Sequence, residues 1–431
     1  MTSRGGAAAA LVLAWLMSMA LLGCEDEQTL TGGCDIRTAG CQRVVFEATA
    51  EARGQAGADR PQVRTISADR FADEYRAEVD EAIEEAGGAQ LAWDAALQML
   101  GLLDAGTTGI EAVAEETIAT VAAFYDGDTQ GVTVVDRGGS SSPEQDLFVL
   151  SHEFVHALQD QTGHLQDFRD RFGSATDSLL ATTTLTEGEA TVLGAVVLEE
   201  AAPAGSFLDW DALGTGLRGG VFDSIEAAEE PMIAAISGLP YTFGFDGLRH
   251  LRNDPTEIQE LYDSPALTLR AWANGRGGSD PPGGLSCYPT IAPEGYVAVD
   301  HDSLGVVALI ALGVLAGERP GSARTASFSW TDDIVVAFES VDTPHEYAVA
   351  WRLRSEGSIA DLAWEQHLLD VAPDIQTDVI DRELLAYGAT DPTILADWAI
   401  TSDCGDLEDL PDPDQDGDDA GMMALRRILG R

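Results

Sequence analysis

Apolar positions along this chain recur mostly every three or four residues, with short β-branched runs between them, so the pattern predicts more helix than strand. Val44-Val45-Phe46 reads as the opening of a strand. Ala68 to Ala86 is rich in helix formers and meets Gly87-Gly88 as its stop. Gln90 to Leu103, stopping near Gly106, and Ile110 to Phe124 repeat the helical spacing. Asp126-Gly127 then signals a turn, Val132–Val135 a strand, and Gly138 to Ser142 a loop. Ser142 is placed to cap a helix, with Pro143 at its first position and Gln145 completing a capping box. That helix is expected to run to about Thr162, with Gly163 as its stop. A second apolar helix is expected from Asp177 to about Ala202, and further helices over Leu304 to Leu315 and Ile359 to Val371. Ile334 to Phe338 and Ala348 to Leu353 read as short strands. The fold class is α+β, mostly helical, with a small sheet beside the helix that begins at Pro143.

The N-terminus belongs to a different argument. Arg4 supplies one positive charge, and Ala7 to Leu22 is a nearly unbroken apolar run, too short for a membrane span and suited to a signal-peptide core. It ends in Leu21-Leu22-Gly23-Cys24, which resembles the lipobox of bacterial lipoproteins. The resemblance implies cleavage before Cys24, lipidation of its thiol and anchoring to a cell-envelope membrane. An ordinary secretory signal is the alternative, and both readings export the protein. The expected divisions are a signal peptide at 1–23, a polar tether at 24–42, a domain of one or two lobes at 43–404, and a disordered acidic tail at 405–431.

Charge changes the range of partners. The formal net charge is −50, and no lysine occurs, so arginine supplies every side-chain cation other than histidine. Such a field repels phosphate backbones and anionic head groups, which excludes nucleic acid as a partner and leaves the N-terminal lipid as the membrane contact. If Cys24 is lipidated, four cysteines remain. Export favours disulfides, and short loop closure favours Cys34–Cys41, leaving Cys287–Cys404. Asp412 to Gly417 begins like a calcium loop, but Met423 stands where the loop needs Glu, so a charged tail is the simpler reading.

The candidate chemistry lies at His152, Glu153 and His156, the segment HEFVH. Histidines at i and i+4 project from one helix face and suit two adjacent corners of a zinc site. Glu153 sits where a carboxylate can serve as general base toward a zinc-activated water. A third ligand is needed. Metzincin spacing would place Gly and His where this chain has Gln159 and Thr162, so the ligand is sought on the next helix, in Thr186-Glu187-Gly188-Glu189-Ala190. Glu187 and Glu189 point to opposite sides, so one ligates and the other is read as a solvated helix residue. Periodicity alone places Glu189, not Glu187, over the buried stripe of Val192, Leu193, Val196 and Val197. Gly188 would let the two helices approach closely. Asp160 is read either as orienting a ligand histidine or as a capping or solvated residue.

HEFVHALQDQ followed by LTEGEAT resembles the gluzincin clan of zinc metallopeptidases, and more closely a group of exported bacterial and archaeal HExxH proteins. FYDGDTQGVTVV (Phe124–Val135), LPYTFG (Leu239–Gly244) and Trp330-Thr331-Asp332-Asp333 carry the same likeness. It spans roughly Arg43 to Leu369 and departs in the 250–300 region. It implies a zincin-like helix beside a mixed sheet, zinc held by His152, His156 and Glu187, and Glu153 as base. It also implies an edge strand at Val132–Val135 that pairs with a peptide or protein substrate, and Tyr241 as a donor to the developing oxyanion. Two rivals stand beside it: a non-catalytic envelope lipoprotein on a metallopeptidase scaffold, and a cell-wall amide hydrolase.

Overall fold

The computed structural model describes residues 30, 34–138, 142–163, 165–172, 175–203, 206–273, 288–289, 292–396, 398 and 404–405. Cys24, His164, Cys287 and the tail from 406 onward, with its Asp412 to Gly417 segment, lie outside the described residues. In chain order the elements used below are α1 (Ala39–Ala52), β1 (Gln62–Ser67), α2 (Ala68–Met99), α3 (Gly109–Thr120), β2 (Ala123–Asp126), β3 (Gly131–Asp136), α4 (Pro143–Gly163) and α5 (Leu165–Phe172). They continue with α6 (Thr176–Ala201), α7 (Trp210–Ala227), α8 (Pro231–Leu248), α9 (Pro255–Asp263), α10 (Leu269–Ala273), β4 (Tyr288–Pro289) and β5 (Tyr296–Asp302). The rest are α11 (Gly305–Leu315), β6 (Trp330–Ser340), β7 (Tyr347–Ser355), α12 (Trp364–Val371), β8 (Gln376–Ile380), β9 (Glu383–Ala389) and β10 (Cys404–Gly405). The α+β, mostly helical class holds.

The architecture begins earlier than expected. Thr38 caps α1 by accepting from the Cys41 amide, and Cys34 is disulfide-bonded to Cys41, as the short loop predicts. Val44 to Phe46 are therefore helical, not a strand. Phe46 packs edge-on against Phe154 of α4 with ring centroids 5.3 Å apart, and burial of that kind overrides the β preference of the local run. Ile36 and Cys41 are already core, so the ordered fold takes in the last part of the expected tether.

Three helices frame the centre, with α6 between α4 and α8. At the α6–α8 crossing, a Cβ on Gly188 would lie 2.5 Å from Gly244 Cα, and one on Gly244 would lie 2.2 Å from Thr184 O. Gly188 does permit a close approach, but to α8 rather than to the histidine helix. Two sheets flank this layer. The smaller has the order β1-β3-β2, with β1 parallel and β2 antiparallel to β3. Val132–Val135 is consequently the buried central strand and not the expected edge, because Gln62–Ser67, whose pattern shows no clear alternation, pairs along its other side. The larger sheet runs β5-β6-β7-β9-β8, antiparallel throughout, and packs on the second half of α2 around Trp93 and Leu97.

Several boundaries move for local reasons. Gly87 adopts φ 55°, ψ −135°, which breaks α2 where the Gly pair predicted a stop. α3 ends at Thr120, so Phe124 belongs to β2. Ala363, at φ 57°, splits the helix expected over Ile359 to Val371. Asp333 ties the sheet to α11: its carboxylate accepts from Ser303 Oγ, the Leu304 and Gly305 amides, and the Trp330 and Trp351 indoles. Backbone register sets Cys404 opposite Pro289, two residues from Cys287. Among the described residues no helix is long and apolar enough to cross a membrane.

Candidate metal centre

The α4 helix forms where the capping signals placed it: the Gln145 amide donates to Ser142 Oγ, and Glu144 and Asp146 occupy the positive first turn. Every residue from Leu147 to Gln159 is buried, because α1, α6 and β2 all pack around it. That burial fixes the phase of the histidines. His152 Nε2 lies 3.0 Å from Glu187 Oε2, His156 Nε2 lies 3.3 Å from the same oxygen, and the two imidazole nitrogens are 3.1 Å apart. Among the described residues these three form the one group of His, Cys, Asp or Glu whose donor atoms converge closely enough to hold a metal ion.

The donor set fits zinc. Tetrahedral arms of ordinary zinc–ligand length hold adjacent donors about 3.3 Å apart, close to the separations found here. Two ring nitrogens and a carboxylate oxygen converge on one point, an arrangement that could hold a divalent cation. Burial disfavours charge on His156, but Glu187 outweighs it and pushes the imidazole up to about 9. Burial also opposes charge on Glu187, yet His156 and His152 hold its carboxyl well below the usual range. A proton and a divalent cation compete for such a place.

Glu153 is buried, and burial raises its pKa; the two histidines and the Tyr125 backbone amide pull the other way, while Glu187 adds to the rise. A carboxyl raised in this manner holds a proton more readily than a free one, as a general base must. Tyr241 stacks on His152 with centroids 5.8 Å apart. Although the residue is 38% exposed, its hydroxyl lies in the field of Glu187 and then, after burial, of Glu153, which hold it well above the usual tyrosine value. It remains protonated at neutral pH and thus a donor. The Gly188–Gly244 contact explains its position, since Tyr241 sits one turn before Gly244 and Glu187 directly precedes Gly188.

The expectation that one of the two glutamates is solvated is wrong: both are buried. Glu187 joins the histidines. Glu189 faces away and pairs with Arg53, Nε to Oε1 2.9 Å, with both side chains almost fully inaccessible. Asp160 orients no histidine; it accepts from the Tyr125 hydroxyl at 2.8 Å. The partner of His156 is Gln159, whose Oε1 lies 2.8 Å from Nδ1. Its spacing of three from His156 puts it on the same face, so helical phase alone could have found it. Arg53, Tyr262 and Arg169, whose Nη2 is 3.7 Å from Glu187 Oε1, come from distant elements and leave no local signal. No family model, curated protein or solved structure matches this chain.

Proposed function

We propose that the protein is a zinc-dependent hydrolase, most specifically a peptidase, exported and anchored through a lipid on Cys24. The observation that carries the reading is the meeting of His152, His156 and Glu187 within 3.3 Å of one another, with Glu153 buried beside them. His152, His156 and Glu187 would hold the zinc. When bound, zinc acidifies water and polarises a carbonyl oxygen. Glu153 takes the proton, and its raised pKa lets it pass that proton on to a leaving amine. The protonated Tyr241 hydroxyl donates to the oxygen on which charge develops. Peptide as the substrate class rests on the gluzincin likeness of HEFVHALQDQ and LTEGEAT. Since β3 is central, a peptide added to the small sheet would meet β2, the flanking strand beside α4, rather than Val132–Val135.

The test is zinc content together with turnover of unstructured casein. Parent protein should bind about one equivalent and lose activity with a chelator. Glu153→Gln should keep the metal and lose on the order of 10²–10⁴ in rate. Full activity in that variant would overturn the assignment. Incorporation of labelled palmitate into the parent, but not Cys24→Ser, tests the anchor.

A further inference from the structure

Behind His156 lies a buried polar chain that the proposed reaction does not use. Gln159 presents Oε1 to His156 Nδ1, while its Nε2 lies 2.9 Å from each of Thr186 O, Glu189 Oε2 and Tyr262 OH. Tyr262 gives its own hydroxyl proton to Glu189 Oε2 at 2.7 Å, so toward Gln159 it is an acceptor. Glu189 is held in turn by Arg53 Nε and by Gln259 Nε2 at 2.8 Å. Arg53 also reaches Leu158 O and Thr162 Oγ1 of α4.

These bonds fix a direction. Three acceptors surround one end of the Gln159 amide, so that end must be the NH₂ group. The carbonyl oxygen must then face His156, and an oxygen there requires the imidazole proton to sit on Nδ1. A neutral imidazole with its proton on Nδ1 has its lone pair on Nε2, the atom that faces His152 and Glu187. His152 has no counterpart, since its Nδ1 is buried and finds no hydrogen-bond partner among the described residues.

We infer that Gln159 is a positioning residue that sets the tautomer and aim of His156 for metal capture, with its own polarity locked by Glu189, Arg53 and Tyr262. An uncharged amide thus serves where a carboxylate would be the simpler choice. The reason is local: Glu189 already places a buried negative charge against it, and a second carboxylate there would repel the first. The inference rests on His152, His156 and Glu187 being the metal site.

The experiment measures zinc affinity of the full chain by chelator competition, and the visible absorption of the cobalt-substituted protein. Gln159→Met keeps the volume and removes the relay. It should weaken zinc about ten- to hundredfold and alter the cobalt spectrum, with cooperative thermal unfolding retained. Should Gln159→Met fail to fold, Gln159→Asn decides: its shorter amide cannot span from Thr186 and Glu189 to His156, so zinc should weaken measurably, and parental affinity there counts against the relay. Parental affinity and an unchanged spectrum in Gln159→Met overturn the inference while leaving the metal site intact. A parent chain that binds no zinc overturns the site itself.

Discussion

At the scale of single residues, Glu187 and Glu189 show how far a sequence pattern reaches. They stand two apart on α6, and opposite orientation follows from helical geometry, as does the rule that only one can join the histidines. Which one does so depended on a motif likeness, because periodicity pointed to Glu189. Periodicity was right that Glu189 is buried, but its destination is Arg53, which lies 136 residues away and has no spacing to announce it. The two alanine substitutions therefore differ in kind. Glu187→Ala should abolish stoichiometric zinc under mild chelation and leave a folded protein. Glu189→Ala strands a buried guanidinium and should cost about 3–5 kcal/mol of stability, seen as a lower urea midpoint. A Glu189→Ala protein as stable as its parent would contradict the buried ion pair.

At the scale of elements, caps and glycines were readable and sheet order was not. Ser142 and Pro143 start α4, and Gly87 breaks α2, because these signals act within one turn of chain. The strands β1, β5 and β9 carry weak or mixed alternation and pair with strands well removed in sequence, and β8 joins the sheet only through its hairpin with β9; without β1, β3 looks like an edge. Their ties are side-chain as well as backbone. Glu383 on β9 receives Arg352 and Arg354 from β7. Burial pushes its carboxyl up, but the two guanidinium groups outweigh this and hold it below the usual carboxylate range. With the folded pKa depressed, the stabilisation is present above the unfolded value near pH 4.3 and is lost as pH falls through the folded one. Glu383→Gln should be less stable than the parent at pH 7 in urea titrations. The gap should narrow toward pH 3; a gap that stays constant would dismiss the ion pairs as the cause.

At the scale of the whole molecule, the helical majority and the reach of the core were legible, while the layering of α6 between α4 and α8 had to be seen. Net charge acts here too. A chain at −50 repels itself, and salt screens that repulsion over about 10 Å at 0.1 M. The unfolding temperature should rise from 10 mM to 0.5 M sodium chloride, and a fall would mean that ion pairs dominate over self-repulsion. The α6–α8 crossing has another kind of consequence, in the freedom of the sequence to drift. Gly188 and Gly244 each meet backbone, which cannot turn aside as a side chain can. Changing either one adds atoms to the same gap, and changing both adds more, so no second substitution rescues the first. The pair offers neutral evolution no route out. A library saturated at both positions and selected for folded protein should return glycine at each, and recovery of alanine at either would show that the crossing can widen.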